Sequence, residues 1–310
     1  MSVQADALPP SSADAVAPVP PALSPARPFY WLVRRELWEN KSLYVAPLAA
    51  AGLVLAGFLI SMGALPKALG AFAVVEASQN GALAAPFAFA GLVVMAAGFL
   101  AGLFYCLGAL HNERRDRSIL FWKSMPLSDL LTVASKAIIP FVAAPLIAFV
   151  VIVALHLVML IVEGAAFLVF GLNLSTLWTS LDLPARELVL LYSVVTLAIW
   201  YAPIYGWLML VSGWARRVTF LWAILPPIGL CVFEQLAFHT NHLASLLGHR
   251  LTGATAAAFA APSAGEFLQR MLPQIDPVGF LSRPDVWIGL IIGAGFLAAA
   301  VWLRRYREPI

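Results

Sequence analysis

An all-α integral membrane protein with six transmembrane helices is the fold class this sequence predicts, and three observations carry that reading. Apolar residues make up 62% of the 310, only 11% are charged, and the mean hydropathy is +0.88. Soluble domains carry about 25% charged residues, and a soluble fold of this length has too little interior to hide so much apolar surface. The apolar residues gather into six runs, each near the roughly 20 residues a spanning helix needs. Lysine and arginine cluster in alternate connecting segments.

The runs lie at 43–63, 87–110, 137–162, 187–212, 218–238 and 285–303. An even number puts both termini on one side. With the N-terminus in the cytoplasm, the inside segments hold fourteen Lys and Arg and the outside segments five. Positive charge marks the cytoplasmic side, so both termini are expected there.

Ahead of the first run, residues 1–27 read as a disordered tail, with six prolines, abundant alanine and serine, and Asp6 and Asp14. The positive start and apolar core of a secretory signal are both missing. The membrane domain is expected over 28–310. It begins with 29–41, FYWLVRRELWENK, where Phe29, Val33 and Leu37 recur at helical spacing and Arg35 and Glu39 form an i,i+4 pair. Thirteen residues are too few to span. Tryptophan beside arginine suits a membrane boundary, so the segment reads as an N-terminal interfacial helix.

The outer connections differ in length. Residues 64–86 are short and nearly uncharged, 163–186 predict a short surface helix near Trp178, and 239–284 predict an amphipathic helix over 262–272. Gly98 with Gly102 and Gly289 with Gly293 have the small-xxx-small spacing that lets helices approach closely. Pro47, Pro140, Pro145, Pro203, Pro226 and Pro227 fall inside the runs and predict kinks. Cys106 and Cys231 lie in apolar runs and read as small packing residues.

The passage at 111–136, HNERRDRSILFWKSMPLSDLLTVASK, is the longest charged one. Glu113 and Arg117 are placed for an i,i+4 pair, and Arg114, Arg115 and Lys123 add positive charge. Ile119, Leu120, Phe121 and Trp122 form an apolar cluster, and Pro126 stops the element. Ser128 is placed as N-cap, with Asp129 in the first turn, of a helix entering the third run. A basic anchor on anionic lipid accounts for the arginines. It does not require the helix–proline–cap punctuation or the Phe–Trp pair, which a docking element for a cytosolic partner does.

The run ERRDRSILFWKSMPLSD, residues 113–129, resembles the cytoplasmic loop of bacterial ABC-transporter permeases of the type-2 (export permease) class. The layout over 28–307 is similar to that family in its interfacial helix, six spans, inside termini and long outer segment before the last span. The resemblance implies a coupling helix between spans two and three that rests in a cleft of a separate cytosolic ABC ATPase subunit, which would bind ATP and Mg. Glu113, Arg114, Arg115, Asp116, Arg117, Phe121, Trp122 and Lys123 are the partner-binding residues on this reading. The arginines would pair with acidic groups while Phe121 and Trp122 fill an apolar cleft, since aromatic and arginine residues carry most interface energy. The turn at 213–217 (GWARR) is a shorter candidate contact.

No Gly-Lys dipeptide occurs, so no phosphate-cradling P-loop can be written, and H-E-x-x-H, C-x-x-C and G-x-S-x-G are also absent. No bond chemistry is therefore expected of this chain, and no cofactor of its own. Among polar groups inside the runs, Glu234 and His156 are the candidates for a transport path, since burial in lipid is costly without a role. For His156 the alternative is a neutral ring bonded to a neighbouring helix. Glu163 and Glu187 read as interfacial, and His239, His242 and His249 as loop residues. Tyr192, Trp200, Tyr201, Tyr205 and Trp207 make the fourth run aromatic, which reads as packing.

The expected function is that of the permease subunit of an exporter in a bacterial inner membrane, paired with a second copy or a paralogue and with no nucleic-acid partner. A transporter driven by an ion gradient is the alternative, although the mid-membrane is almost uncharged and no internal repeat is evident. A non-transporting membrane scaffold is the other.

Overall fold

The computed structural model describes residues 26–62, 79–118, 127–171, 173–258 and 275–306. Among these there is no strand, and six helices are long and apolar enough to cross a membrane. Helix α1 (Ala26–Glu39) leads into the first of them, α2 (Ser42–Met62), and α3 (Gln79–Gly108) is the second. After the short α4 (His111–Arg115), the third runs from Asp129 to Val169 as α5 (Asp129–Ile138), a π-helical segment (Ile139–Ala143) and α6 (Ala144–Val169). The fourth is α8 (Leu183–Trp200) continued by α9 (Ala202–Trp214), preceded by α7 (Leu174–Leu181). Next come α10 (Thr219–Phe238), the short helices α11 (His242–Thr252), α12 (Ala254–Ala258) and α13 (Pro277–Ser282), and finally α14 (Pro284–Tyr306).

Prolines shape the long helices as their missing N–H requires. Pro140 lies in the π-helical segment, where the ladder reorganises around the lost donor. Pro203 follows the break at Tyr201, taking an early position of α9 that needs no intrahelical donor. In α10, Pro227 cannot serve the carbonyl of Ala223, and the Trp207 indole Nε1 donates to that oxygen at 2.9 Å instead. An aromatic side chain of the fourth long helix thus completes the backbone of the fifth.

Among the described residues the two larger of four apolar clusters lie one beyond the other along the bundle. One gathers Leu43, Cys106, Leu110, Val133, Ile139, Tyr205 and Met209. The other, nearer the opposite end, gathers Phe58, Phe87, Val94, Ile152, Met159, Leu177 and Leu181. The first adjoins the end where α1, α4, α5 and the last turn of α14 meet, called here the basic end; the other is the distal end.

The glycine pairs meet other helices of the same chain. A Cβ on Gly98 would lie 2.8 Å from Ala148 Cβ, so α3 and α6 meet in contact there. The closest crossing joins α9 to α14, where a Cβ on Gly206 would lie 2.8 Å from Gly293 O and one on Gly293 2.9 Å from Ala202 O. Gly289 serves differently: the Arg250 guanidinium occupies the space its Cβ would fill.

Helix α7 covers the predicted surface helix near Trp178, with the Asn173 side chain accepting from Ser175 N at 3.0 Å. Of the tail predicted over 1–27, Ala26 and Arg27 open α1, while residues 1–25, like the segment at 262–272, lie outside the described residues. Helices α11 and α12, in the connection before the last long helix, were not anticipated.

Candidate functional site

Helix α1 turns Leu32 and Glu36 inward and packs on α5, while Tyr30, Trp31 and Trp38 face outward. The buried face is centred one residue before the predicted Val33–Leu37 stripe, which brings a carboxylate into the interior. Glu36 Oε1 lies 2.6 Å from Lys136 Nζ, and Tyr105 donates its hydroxyl to Glu36 Oε2 at 2.8 Å. Lys136 Nζ also lies 3.1 Å from Glu113 Oε1. The other Glu113 oxygen accepts from Arg304 Nη1, and Arg304 Nε donates to Asp129 Oδ1 at 3.2 Å. Glu36, Glu113, Lys136 and Arg304 are all buried, at 3–7% exposure.

This alternating chain sets each charge against an opposite one, the condition for ionised groups out of water, and gains a further hydrogen bond at Glu36 from Tyr105. It joins five elements: α1, α3 through Tyr105, α4, α5 and the end of α14. Glu113 therefore points into the fold at Lys136 and Arg304. Its predicted i,i+4 partner Arg117 is exposed at φ +56°, past the end of α4, where helical spacing no longer applies.

A second set of bonds fastens α4 to the end of α9. Arg114 Nη1 donates to Gly213 O at 2.7 Å, Leu110 N donates to Ser212 Oγ at 3.2 Å, and His111 Nδ1 lies 3.2 Å from Ala215 O. The last carbonyls of a helix lack intrahelical donors, and a buried arginine supplies one here. The two connections at the basic end thus form one unit.

Of the residues assigned to partner binding, Arg115, Asp116 and Arg117 are exposed, with Arg115 Nε 3.3 Å from Asp116 Oδ1. Glu113 and Arg114 are held inside by the bonds above. Phe121, Trp122 and Lys123 lie outside the described residues. Beyond that gap Ser128 caps α5 as predicted, accepting from Leu131 N at 3.1 Å.

Toward the distal end, His156 is buried between α3 and α8. Its Nε2 lies 2.9 Å from Phe87 O and its Nδ1 2.5 Å from Glu187 Oε1. A carbonyl only accepts, so the Phe87 contact suits a proton on Nε2 and turns Nδ1 toward the Glu187 carboxyl. His156 borders an apolar cavity of about 160 Å³, together with Phe87, Gly91, Met95, Val189 and Ala258. Ser193 and Thr196 also border it, but their hydroxyls donate to carbonyls of their own helix.

Glu234 ends α10 and accepts from Thr240 Oγ1 at 2.8 Å, His242 N at 2.9 Å and Leu243 N at 2.8 Å. It holds the tight turn to α11 and satisfies two free N–H groups of that helix. Among the described residues no group of His, Cys, Asp and Glu converges as a metal site. The aromatic residues of the fourth long helix are also tethers. Tyr192 donates to Ala258 O, Trp200 to Arg250 O and Tyr201 to Leu251 O, each at 2.9 Å. Arg250 lies with its guanidinium carbon 4.5 Å from the Trp200 ring centroid. Burial lowers the pKa of that guanidinium, and the charge of Asp285 opposes the shift.

Glu36, Tyr105, Lys136, Ser212 and Arg304 are the site residues that sequence reasoning missed, and Glu187, read as interfacial, is the partner of His156. Glu36 alone left a signal, as a carboxylate next to an apolar stripe. Six apolar helices of this length and composition fit a multi-pass membrane protein. Comparison with models of known protein families, with curated proteins and with solved structures finds no match.

Proposed function

We propose that this chain is the membrane subunit of an exporter powered by separate ATP-binding-cassette subunits, with the basic end facing the cytosol. The observation that carries this reading is the loop at 113–129, whose sequence resembles the coupling loop of type-2 ABC permeases. Its first part, α4, is tied to long helices three, four and six by Glu113, Arg114 and their partners. A push on such a loop moves helices; a freely hinged loop would absorb it. In this reading α1 lies in the headgroup layer, the exposed Arg115–Arg117 and the Phe121–Trp122 pair meet the ATPase, and a second copy or a paralogue completes the membrane half. ATP and Mg belong to the partner, and no bond is made or broken in this chain.

The test is the Phe121→Ala, Trp122→Ala double variant. It is expected to insert and fold as the parent does and to lose co-purification of the ATPase. Undiminished co-purification would remove the docking role.

A transporter driven by an ion gradient is the second reading, favoured by the buried His156 ring, paired with Glu187, beside an apolar cavity. It predicts transport by this chain with no ATPase present.

A further inference from the structure

The outward face of α1 carries Arg27, Tyr30, Trp31, Arg34 and Trp38, all exposed, and Lys41 is exposed just past its end. These positions recur at intervals of three and four, which align them on one side of a helix. The three aromatic rings are 59–68% exposed, although each is large and apolar in body. The Arg34 guanidinium carbon lies 5.1 Å from the Trp31 ring centroid and 5.3 Å from that of Trp38, so two indoles hold one cation between them.

The charge on this face follows from where the acids of α1 go. Glu36 is turned inward to Lys136, and Glu39 is engaged by Arg35 at 2.6 Å. Neither lies on the stripe, so Arg27, Arg34 and Lys41 give it a net positive charge. Only Asn40 and Lys41 separate α1 from α2, which puts the stripe within a turn of the first apolar residues of a membrane-length helix. Aromatic rings that are apolar in body and polar at the edge, alternating with cations, match the layer where acyl chains meet phosphates.

We infer that this stripe is a binding site for anionic phospholipid, with the phosphate taken by Arg34 and its neighbours and the glycerol region by the indole and phenol rings. The inference rests on the headgroup-layer position of α1 proposed above. It adds a preference for negative lipid, which an apolar anchor alone would not have.

The experiment titrates phosphatidylglycerol, and separately phosphatidylcholine, into the purified full-length protein and reads bound lipid by native mass spectrometry. The parent protein is expected to bind phosphatidylglycerol more tightly and to lose that preference in high salt, as an exposed ionic site does. Arg27→Gln, Arg34→Gln, Lys41→Gln together should weaken the tightest phosphatidylglycerol site on the order of 100-fold. Arg27→Lys with Arg34→Lys should stay within roughly fivefold of the parent, since charge is kept. Arg216→Gln with Arg217→Gln, in the turn between α9 and α10, should leave this site unchanged.

Equal affinity for the two lipids, or a triple Gln variant that still prefers phosphatidylglycerol, would overturn the inference. So would soluble glycerol 3-phosphate binding as tightly as the lipid, which would mark a free phosphate site. A triple variant that loses ATPase co-purification with its lipid preference intact would make the stripe a protein-docking surface. No ATPase with the parent protein, while the lipid preference and its loss in the triple variant both hold, would remove the exporter reading and leave this one standing.

Discussion

The Glu36 carboxylate and the Lys136 ammonium meet at 2.6 Å, both buried, although 100 residues separate them in the chain. Their contact fixes α1 on the base of the third long helix. Lys136→Met leaves the buried Glu36 carboxylate without its cation and should destabilise the protein by about 3–5 kcal/mol, whereas Glu36→Gln leaves Lys136 its contact with Glu113 and should cost less. The double variant should lose less than the sum of the two. Thermal unfolding in mild detergent, run as a double-mutant cycle, checks this; strictly additive losses would mean that the pair does not interact.

The His156–Glu187 pair predicts a rescue. His156→Leu strands the Glu187 carboxyl, at a cost of about 1–3 kcal/mol. Adding Glu187→Leu should recover part of that loss. A double variant less stable than His156→Leu would show that Glu187 is held by other groups.

Gly293 and Gly295 are two residues apart in α14 and predict opposite outcomes. A Cβ at 293 would press on the backbone of Ala202 and Pro203, and one at 295 meets nothing within 4 Å. Gly293→Ala should cost about 1–3 kcal/mol through forced separation of α9 and α14. Gly295→Ala should be neutral or stabilise by about 0.5–1 kcal/mol, because alanine loses less entropy in a helix. The order of the two melting temperatures decides it.

Glu234 predicts a local effect. With Glu234→Ala, helix α11 loses the acceptors for His242 N and Leu243 N and should fray at its start, as a helix without its cap does. Hydrogen exchange should rise over 240–252 and stay unchanged at the basic end. Unchanged exchange in α11 together with lost transport would instead place Glu234 in a substrate path.

What the sequence made legible was what nearest neighbours determine. The six apolar runs, the Ser128 cap, the Arg35–Glu39 pair and the short helix near Trp178 all follow from residues within a few positions of one another. Partners far apart in the chain were hidden. Arg304 reads as one more positive residue at a C-terminus, until the fold brings it to Glu113, 191 positions away. Glu36 fell outside the predicted Val33–Leu37 stripe, and a shift of one position in the buried face of α1 brings it inside. Arg250 likewise gave no sign that Gly289, on another helix, makes room for it.

The measurement that bears most directly on the exporter reading is a mild-detergent pull-down of the tagged protein from its native host, followed by mass spectrometry and an ATPase assay. The account predicts a stoichiometric ABC ATPase in the eluate and ATP hydrolysis, both lost when Phe121 and Trp122 are changed to alanine. A folded, membrane-inserted protein that brings down no ATPase would contradict it.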